Sequence, residues 1–118
     1  MRASRAEIKI EEILQMNDVK FIEEYEFPEL LSPNGKPLRF DFAILDDNGN
    51  LDFLIEYNGK QHYEPVAKFG GKRGLYQQQY NDTKKKRFCA LKHINLVIIP
   101  YTDENLISYD YIFKKAGY

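Results

Sequence analysis

The chain has 118 residues and a mass of 13.9 kDa, enough for one hydrophobic core, so we expect a single domain over residues 1–118. Its formal net charge of −1 excludes a protein that binds nucleic acid through overall positive charge, and its 43% hydrophobic content is ordinary for a soluble domain. The sequence has no apolar run long enough for a membrane span, no apolar signal core in its first ten residues, and one cysteine, Cys89. We therefore expect a cytoplasmic protein without membrane contacts.

The first predicted element is a helix from Ser4 to Asn17. Ser4 is suited to cap this helix, and Glu7 follows three residues later, which is the spacing of a capping box. Apolar residues recur at roughly helical intervals: Ile8, Ile10, Ile13, Leu14 and Met16. Glu7 and Glu11 lie four residues apart and share one face. A cap or a solvated helix position explains either glutamate in purely structural terms.

The first predicted strand spans residues 19–27 (VKFIEEYEF). Its alternating aromatic residues are expected on one face of the sheet: Phe21, Tyr25 and Phe27. We expect Pro28 to end the strand. The sequence SPNG at residues 32–35 then predicts a turn into the second strand.

The second and third strands form a predicted hairpin. The second, residues 38–45 (LRFDFAIL), carries Asp41 among aromatic and aliphatic neighbours. Residues 46–50 (DDNGN) predict the hairpin loop, because an Asn-Gly pair accepts the positive φ that tight turns require. The third strand, residues 51–58, is largely apolar but ends with Glu56 close to its carboxyl end.

A glycine-rich basic segment follows. Residues 64–74 contain Pro65 and three glycines and predict an irregular, mobile loop that carries Lys72 and Arg73. Such a loop is able to approach a phosphate backbone closely, although a plain surface connection explains it equally well.

The longest predicted helix spans residues 75–93. Its apolar face is expected to contain Tyr76, Tyr80, Phe88, Leu91 and Ile94. Lys84, Lys85 and Lys86 belong to a local excess of positive charge, which makes this helix the best candidate for phosphate contacts.

The chain then returns to the sheet. Residues 95–101 (NLVIIPY) are a continuous apolar run that predicts a central strand covered on both faces. A last helix is expected from Glu104 to Lys115, capped by Thr102 or Asp103. Its residues predicted to pack on the sheet are Leu106, Ile107, Tyr111, Ile112 and Phe113. The order α-β-β-β-α-β-α predicts an α/β fold with a mixed sheet, in which the first three strands form an antiparallel meander.

Three polar residues stand out against this framework. Asp41 and Glu56 lie on adjacent strands of one hairpin, and His62 follows just after the turn at Gly59. Each of the three alone has an ordinary structural explanation, such as a surface charge or an edge-strand residue. Together they predict a site for a hard cation with a base beside it.

These residues belong to a longer series of motifs. The series comprises FDF (40–42), IEYNGKQHY (55–63), FGG (69–71), YND (80–82) and LVIIPY (96–101). From about Glu7 to Tyr101 it resembles the PD-(D/E)xK nuclease superfamily. The similarity is greatest to the branch of very-short-patch repair and phage homing endonucleases with a Glu–Asp–x–His–Asp signature. The lysine of the superfamily name falls on Asn58, and this branch also lacks that lysine.

The resemblance implies a restriction-endonuclease-like three-layer sandwich and an endonuclease that hydrolyses DNA with Mg²⁺, for which Mn²⁺ is able to substitute. Asp41 and Glu56 would hold the metal. His62 would act as general base or as proton shuttle to the leaving oxygen. Asp82 would orient His62 or hold a second metal. Glu7, or Glu11 if the register differs by a turn, would complete the outer shell of the site.

The resemblance also implies DNA as partner. Its backbone would be positioned by Lys72, Arg73, Lys84, Lys85 and Lys86. A homodimer or a separate DNA-recognition partner would supply specificity, and a phage-encoded protein would work in the host cytoplasm. Two alternatives remain: a nucleic-acid-binding module with the nuclease fold but no catalysis, and a nuclease that acts on RNA or branched DNA.

Overall fold

The computed structural model describes residues 4–118 and contains a four-stranded sheet with three α-helices. The helices are α1 (Arg5–Met16), α2 (Gly71–Lys92) and α3 (Tyr109–Lys115). The strands are β1 (Lys20–Leu31), β2 (Pro37–Leu45), β3 (Leu51–Asn58) and β4 (Asn95–Pro100). The predicted α/β class and the element order are therefore confirmed. Within residues 4–118, no helix has both the length and the apolar character needed to cross a bilayer.

The sheet has the order β1-β2-β3-β4. The first three strands pair antiparallel, and β4 runs parallel to β3 because α2 carries the chain back across the sheet. The prediction of a central position for β4 is wrong, since β4 lies at an edge. Its continuous apolar sequence has another reason: Val97 and Ile99 face one layer of helices while Leu96 faces the other.

Helices cover both faces of the sheet. On one face, Ile10 and Leu14 of α1 and Ile112 of α3 pack with inward residues of the strands, among them Phe53. On the other face, Cys89 of α2 packs with a second set of strand residues. All of these side chains are buried. The two apolar clusters fix the strands between the helices, and the hydrophobic effect is the dominant stabilising contribution to such packing.

Strand β1 is longer than predicted and changes face along its length. It continues through Pro28 to Leu31, with an irregular register after Glu26. Proline is tolerated there because an edge strand does not need every N–H for pairing. Phe21 packs on the α1 side whereas Tyr25 packs on the α2 side, and Glu24 between them has a φ of +51°. The prediction that Phe21, Tyr25 and Phe27 share one face is therefore wrong.

Helix α2 begins four residues earlier than predicted. Gly70, with a φ of +90°, ends a short 3-10 helix (Ala67–Phe69) and leads directly into Gly71. A Cβ at Gly74 would collide with the carbonyl oxygen of Phe69, so this close approach requires glycine. The basic residues expected in an irregular loop thus lie in the first turn of α2.

The predicted last helix is divided in two. Residues Tyr101–Leu106 form a 3-10 helix, and α3 starts only after Ser108. The hydroxyl of Ser108 accepts a hydrogen bond from the Tyr111 N–H at 3.0 Å, so Ser108, and not Thr102 or Asp103, is the cap. Leu106 is exposed, contrary to its predicted packing, whereas its neighbour Ile107 is buried.

Candidate active site

At Asp41, hydrogen bonds from backbone N–H groups to side-chain carboxylates replace the backbone ladder between β2 and β3. Regular pairing reaches Phe42 opposite Ile55. At the next position, the Asp41 N–H donates to Oε1 of Glu56 at 3.0 Å, and the Tyr57 N–H donates to Oδ2 of Asp41 at 2.7 Å. Each carboxylate therefore accepts a backbone N–H of the other strand. This exchange places the two predicted acidic residues side by side within the sheet.

Lys85 of α2 completes this group, which we call the carboxylate cluster (Asp41, Glu56 and Lys85). The Lys85 Nζ lies 2.8 Å from Oε2 of Glu56 and 5.3 Å from the centre of the Phe40 ring. Glu56 is 6% exposed and Lys85 8% exposed. The prediction that Lys85 contacts phosphate on the surface is therefore wrong, because its ammonium is enclosed and paired with a carboxylate.

The carboxylate cluster holds more negative charge than Lys85 neutralises. Burial, followed by the charge of Glu56, raises the pKa of Asp41 from 3.8 to about 8. Burial also raises the pKa of Glu56, although Lys85 opposes this effect. A carboxyl group whose charged form is disfavoured in this way is expected to gain from an additional cation.

A second pair lies beside the cluster, and we call it the imidazole pair (His62 and Asp82). His62 ends a short 3-10 helix (Lys60–His62) after β3, and its Nδ1 lies 2.8 Å from Oδ2 of Asp82 on α2. The side-chain amide of Gln78 donates to the other oxygen, Oδ1, at 3.1 Å. With Nδ1 protonated and held by Asp82, Nε2 carries the lone pair that is able to accept a proton.

The hydrogen bonds of Asp82 distinguish between its two predicted roles, orienting His62 and holding a second metal. Because His62 engages one oxygen and Gln78 the other, the carboxylate is arranged to orient the imidazole. Ligation of a second metal would require at least one of these bonds to be replaced. The geometry therefore favours the orienting role.

A small cavity of about 10 Å³ lies between one side of the cluster and Asp82 of the pair. Its polar lining residues are Glu56, Asn58, Asp82, Lys85 and Lys86, and Leu96 and Ile98 complete it. Asn58 is 5% exposed, and its Oδ1 has no hydrogen-bond partner among residues 4–118. A space of this size is near the minimum that a single water molecule requires. Asn58 lines the same space as Lys85.

Glu7 acts electrostatically on the carboxylate cluster. Its backbone N–H donates to the Ser4 hydroxyl at 3.2 Å, which confirms Ser4 as the cap, and its Oε1 accepts from that hydroxyl at 3.0 Å, not from the backbone N–H as in a capping box. The negative charge of Glu7 also raises the pKa of Asp41. Glu11 instead accepts a hydrogen bond from the side-chain amide of Gln15 at 3.3 Å. The proximity of Glu11, followed by burial and other nearby carboxylates, raises the pKa of Glu23 to about 7. Of the two predicted glutamates, Glu7 is the one placed to act on the cluster.

Helix α1 is tied to the site by a bridge through Glu104. Tyr57, next to Glu56 on β3, donates its hydroxyl to Oε1 of Glu104 at 3.1 Å. Arg5 of α1 lies 2.7 Å from Oε2 of the same carboxylate. This bridge helps to position the first turn of α1, and hence Glu7, over the end of the sheet.

The two carboxylates of the cluster are the candidate ligands for a metal ion. Residues 4–118 contain no group of three or more histidine, cysteine, aspartate or glutamate side chains placed to hold a metal. Asp41 and Glu56 provide two carboxylates on neighbouring strands. Mg²⁺ is commonly held by one or two carboxylates, with water and substrate oxygens completing its shell, so the two side chains fit Mg²⁺ and do not fit a site built from protein ligands alone.

The remaining basic residues are divided between the surface and internal contacts. Lys72, Arg73 and Lys86 are exposed on α2. Lys84 is half-buried, and its Nζ donates to the carbonyl oxygen of Leu31 at the end of β1. Three of the five predicted phosphate contacts therefore remain available on the surface, and Lys84 is committed in part to the fold.

Three viral proteins are similar to part of this chain. Protein 307L of Invertebrate iridescent virus 6, which is uncharacterized, is 34% identical over 87 residues, covering 72% of this chain and 44% of that protein. The uncharacterized proteins 094L of Frog virus 3 (isolate Goorha) and 033L of Invertebrate iridescent virus 3 are each 39% identical, over 62 and 78 residues, or 40% of their own lengths. The chain thus spans less than half the length of these curated relatives.

Two further comparisons found no similarity. No family model matches the chain. No solved structure matches it either.

Proposed function

We propose that this protein is a metal-dependent endonuclease that hydrolyses phosphodiester bonds in DNA, of the very-short-patch repair and homing type within the PD-(D/E)xK superfamily. The observation that carries the proposal is the placement of Asp41 and Glu56 side by side, each accepting a backbone N–H of the other strand, near Lys85 and the imidazole pair. Carboxylates on neighbouring strands, with a lysine and an oriented histidine, are able to supply metal binding and proton transfer for phosphodiester hydrolysis. The specific nuclease sandwich is part of the same proposal.

Asp41 and Glu56 would hold Mg²⁺. When bound, the ion would supply positive charge that polarises the phosphoryl group. The raised pKa of Asp41 supports this assignment, because a divalent cation would favour the ionised form that burial and Glu56 disfavour. Glu7 would add a further negative charge at the edge of the site.

His62 would take the proton from the attacking water. Asp82 holds Nδ1 and so fixes both the tautomer and the direction of the ring, which leaves Nε2 to accept the proton. As the water oxygen bonds to phosphorus, the bond from phosphorus to the leaving 3′-oxygen breaks. Because the leaving oxygen lies on the opposite side of phosphorus, it takes a proton from solvent water and the imidazole releases its own proton to solvent. In the alternative role, His62 would protonate the leaving oxygen and another group would activate the water.

Lys85 would replace the superfamily lysine in space although it does not replace it in sequence. Its ammonium lies 2.8 Å from Glu56 Oε2, beside the small cavity that Asn58 also lines. From there it would position Glu56 and add positive charge on the inner side of the site, without contacting the nucleic-acid backbone. Lys72, Arg73 and Lys86 would hold the nucleic-acid backbone outside the site.

The proposal is tested by incubating supercoiled plasmid with the protein and Mg²⁺, with and without a chelator. The matched control is Asp41→Asn, which retains the shape and an acceptor for the Tyr57 N–H. We expect nicking or linearisation by the wild type with Mg²⁺ alone and none by the variant. Equal cleavage with chelator, or by the variant, would overturn the proposal, and labelled RNA and branched DNA in parallel reactions would identify the preferred substrate.

A second candidate is a nucleic-acid-binding module with this fold but no catalysis. It is favoured by one observation: both oxygens of Glu56 already accept hydrogen bonds, from the Asp41 N–H and from Lys85. A carboxylate satisfied in this way is complete without a metal. Retained DNA binding with no Mg²⁺-dependent cleavage of any substrate would favour this candidate.

A further inference from the structure

Helix α2 presents two large aromatic side chains to solvent. Tyr76 is 65% exposed and Tyr80 is 58% exposed, although the sequence predicts them on the apolar face of the helix. They lie four residues apart and therefore neighbour each other on one side of the helix. Tyrosine rings left open in this way do not contribute to the core and are available to a binding partner.

These two rings border grooves on both sides. One groove, of about 350 Å³, separates α2 from the β1–β2 turn. The other, of about 520 Å³, continues along the helix. We call the combined surface the tyrosine face. The first groove is lined by Ser32, Pro33, Asn34, Tyr76, Gln77, Tyr80 and Asn81, and the second adds Gln79, Thr83, Lys84 and Arg87.

The charge of this surface suits a polyanion. Among the described residues that line the two grooves, none carries a carboxylate, whereas Lys84 and Arg87 are cationic. Helix α2 contains seven basic residues and one acidic residue, Asp82. Lys85 and Asp82 both face inward, paired with Glu56 and His62, so the outward side keeps six basic residues and no carboxylate.

The polar lining is also suited to nucleobases. The side-chain amides of Asn34, Gln77 and Gln79 offer both donors and acceptors, as base edges do. Asn81 also lines the first groove, and its buried Oδ1 has no hydrogen-bond partner among residues 4–118. Aromatic rings with adjacent cationic groups are characteristic of surfaces that bind single strands, because only unpaired bases offer their faces for stacking.

We propose that the tyrosine face binds unpaired nucleotides of a DNA strand next to the site of cleavage. The location beside the cleavage site rests on the proposed function. The tyrosine face and the imidazole pair meet at consecutive residues of α2, since Asn81 lines the groove and Asp82 holds His62. A strand bound along the tyrosine face is therefore delivered to the end of the sheet that carries the carboxylate cluster. The preferred substrate is DNA with an unpaired segment, such as a flap or a bubble.

Binding to a short single strand that contains 2-aminopurine tests the proposal directly. Affinity and quenching of the 2-aminopurine fluorescence are measured in chelator, so that no cleavage occurs. The test variant is Tyr76→Ala with Tyr80→Ala, and the matched control is Tyr76→Phe with Tyr80→Phe, which retains both rings. Because both side chains are exposed, we expect both variants to fold, and a melting curve checks this expectation.

We expect the alanine variant to bind the single strand at least about tenfold more weakly than the wild type and to lose the quenching. The phenylalanine variant should retain both properties. Affinity for a blunt duplex should be the same in all three proteins. Unchanged single-strand affinity of the alanine variant, or an equal loss on duplex, would overturn the proposal. Tighter ring-dependent binding of RNA of the same sequence would overturn the assignment to DNA.

Cleavage measurements separate this proposal from the proposed function. If the wild type cleaves no nucleic acid but binds single strands through the rings, the binding role of the tyrosine face is retained and the nuclease function is lost. If the wild type cleaves duplex plasmid and the alanine variant cleaves a flap substrate equally well, the nuclease function is retained and the tyrosine face is excluded from substrate binding.

Discussion

The carboxylate cluster and the imidazole pair lie side by side but are built differently. In the cluster, Glu56 accepts the Asp41 N–H, Asp41 accepts the Tyr57 N–H, and the one ammonium, that of Lys85, contacts Glu56. In the imidazole pair, one carboxylate faces one imidazole, and Gln78 completes the arrangement. Two carboxyl groups therefore share one ammonium in the first region, whereas in the second a single carboxylate holds a single imidazole through Nδ1.

The difference indicates which chemistry each region supports. Buried carboxylates with an incomplete counter-charge favour the arrival of a cation, and the raised pKa of Asp41 reflects that imbalance. A histidine held through Nδ1 by a carboxylate has a defined tautomer, which favours proton transfer at Nε2. The carboxylate cluster is thus suited to cation binding, and the imidazole pair is suited to proton transfer.

The largest effect is expected from neutralising either carboxylate of the cluster. Asp41→Asn and Glu56→Gln should each abolish cleavage, because either change removes negative charge that would hold the metal. Initial rates on labelled DNA provide the measurement. Retention of more than about a tenth of the wild-type rate, which corresponds to roughly 1.4 kcal/mol of barrier, would contradict direct ligation.

Removing the imidazole should have the next largest effect. His62→Ala should lower the cleavage rate by about 10²- to 10⁴-fold, the range for loss of a general acid–base group, while metal and DNA binding persist. The wild-type rate should fall at acid pH, where a protonated imidazole is unable to accept a proton, and the variant should lose this dependence. A variant with full activity, or a wild-type profile without an acid limb, would assign the base to another group.

Lys85 and its neighbour Lys86 provide a matched pair of opposite environments. Lys85→Met should destabilise the fold by about 3 kcal/mol, because Glu56 would remain buried without its counter-charge. Lys86→Met should leave stability unchanged but flatten the dependence of log K on log salt by about 0.9 for duplex DNA. Urea denaturation and salt titration measure the two effects. Equal stability of the two variants would mean that Lys85 contributes no more than a surface residue.

The smallest effect concerns stability in the absence of metal. Folding raises the pKa of Asp41 from 3.8 to about 8, so its contribution to stability is full below the lower value and is lost as pH rises through the higher one. Asp41→Asn should remove this pH dependence. Above pH 8, its free energy of unfolding should exceed that of the wild type by at least about 1 kcal/mol, or about 4 °C in Tm.

Melting curves with chelator across this pH range provide the measurement. Added Mg²⁺ should raise the Tm of the wild type and leave that of Asp41→Asn unchanged. A steeper loss of stability with pH in the variant than in the wild type would contradict the charge excess assigned to the cluster.

The sequence by itself determined the order of the elements and the two strands that carry the site. Alternation in β2, the apolar run of β3 and the Asn-Gly turn between them are local signals, and a hairpin places Asp41 opposite Glu56 without further information. The cap of α1 at Ser4 was equally local. His62 was predicted from the turn after β3. The sequence left two roles open for Asp82: orienting His62 or holding a second metal.

The inward face of α2 depends on how the helix packs against the rest of the fold. From sequence, the aromatic residues Tyr76 and Tyr80 predicted the buried side, yet the inward positions form a stripe four, three and four residues apart: Gln78, Asp82, Lys85 and Cys89. That spacing was a signal available in the sequence. It was not decisive, because a lysine among four consecutive basic residues is usually solvated.

Lys85 is buried only because the fold brings Glu56, 29 residues away in sequence, to within 2.8 Å of it. The same reasoning applies to β4, whose edge position depends on the pairing of whole strands, and to Pro28, which β1 tolerates only at an edge. Local sequence fixes the conformation of short segments through backbone preference and periodicity. The burial of a charge depends on a partner from a distant segment, and only the packed structure supplies that partner.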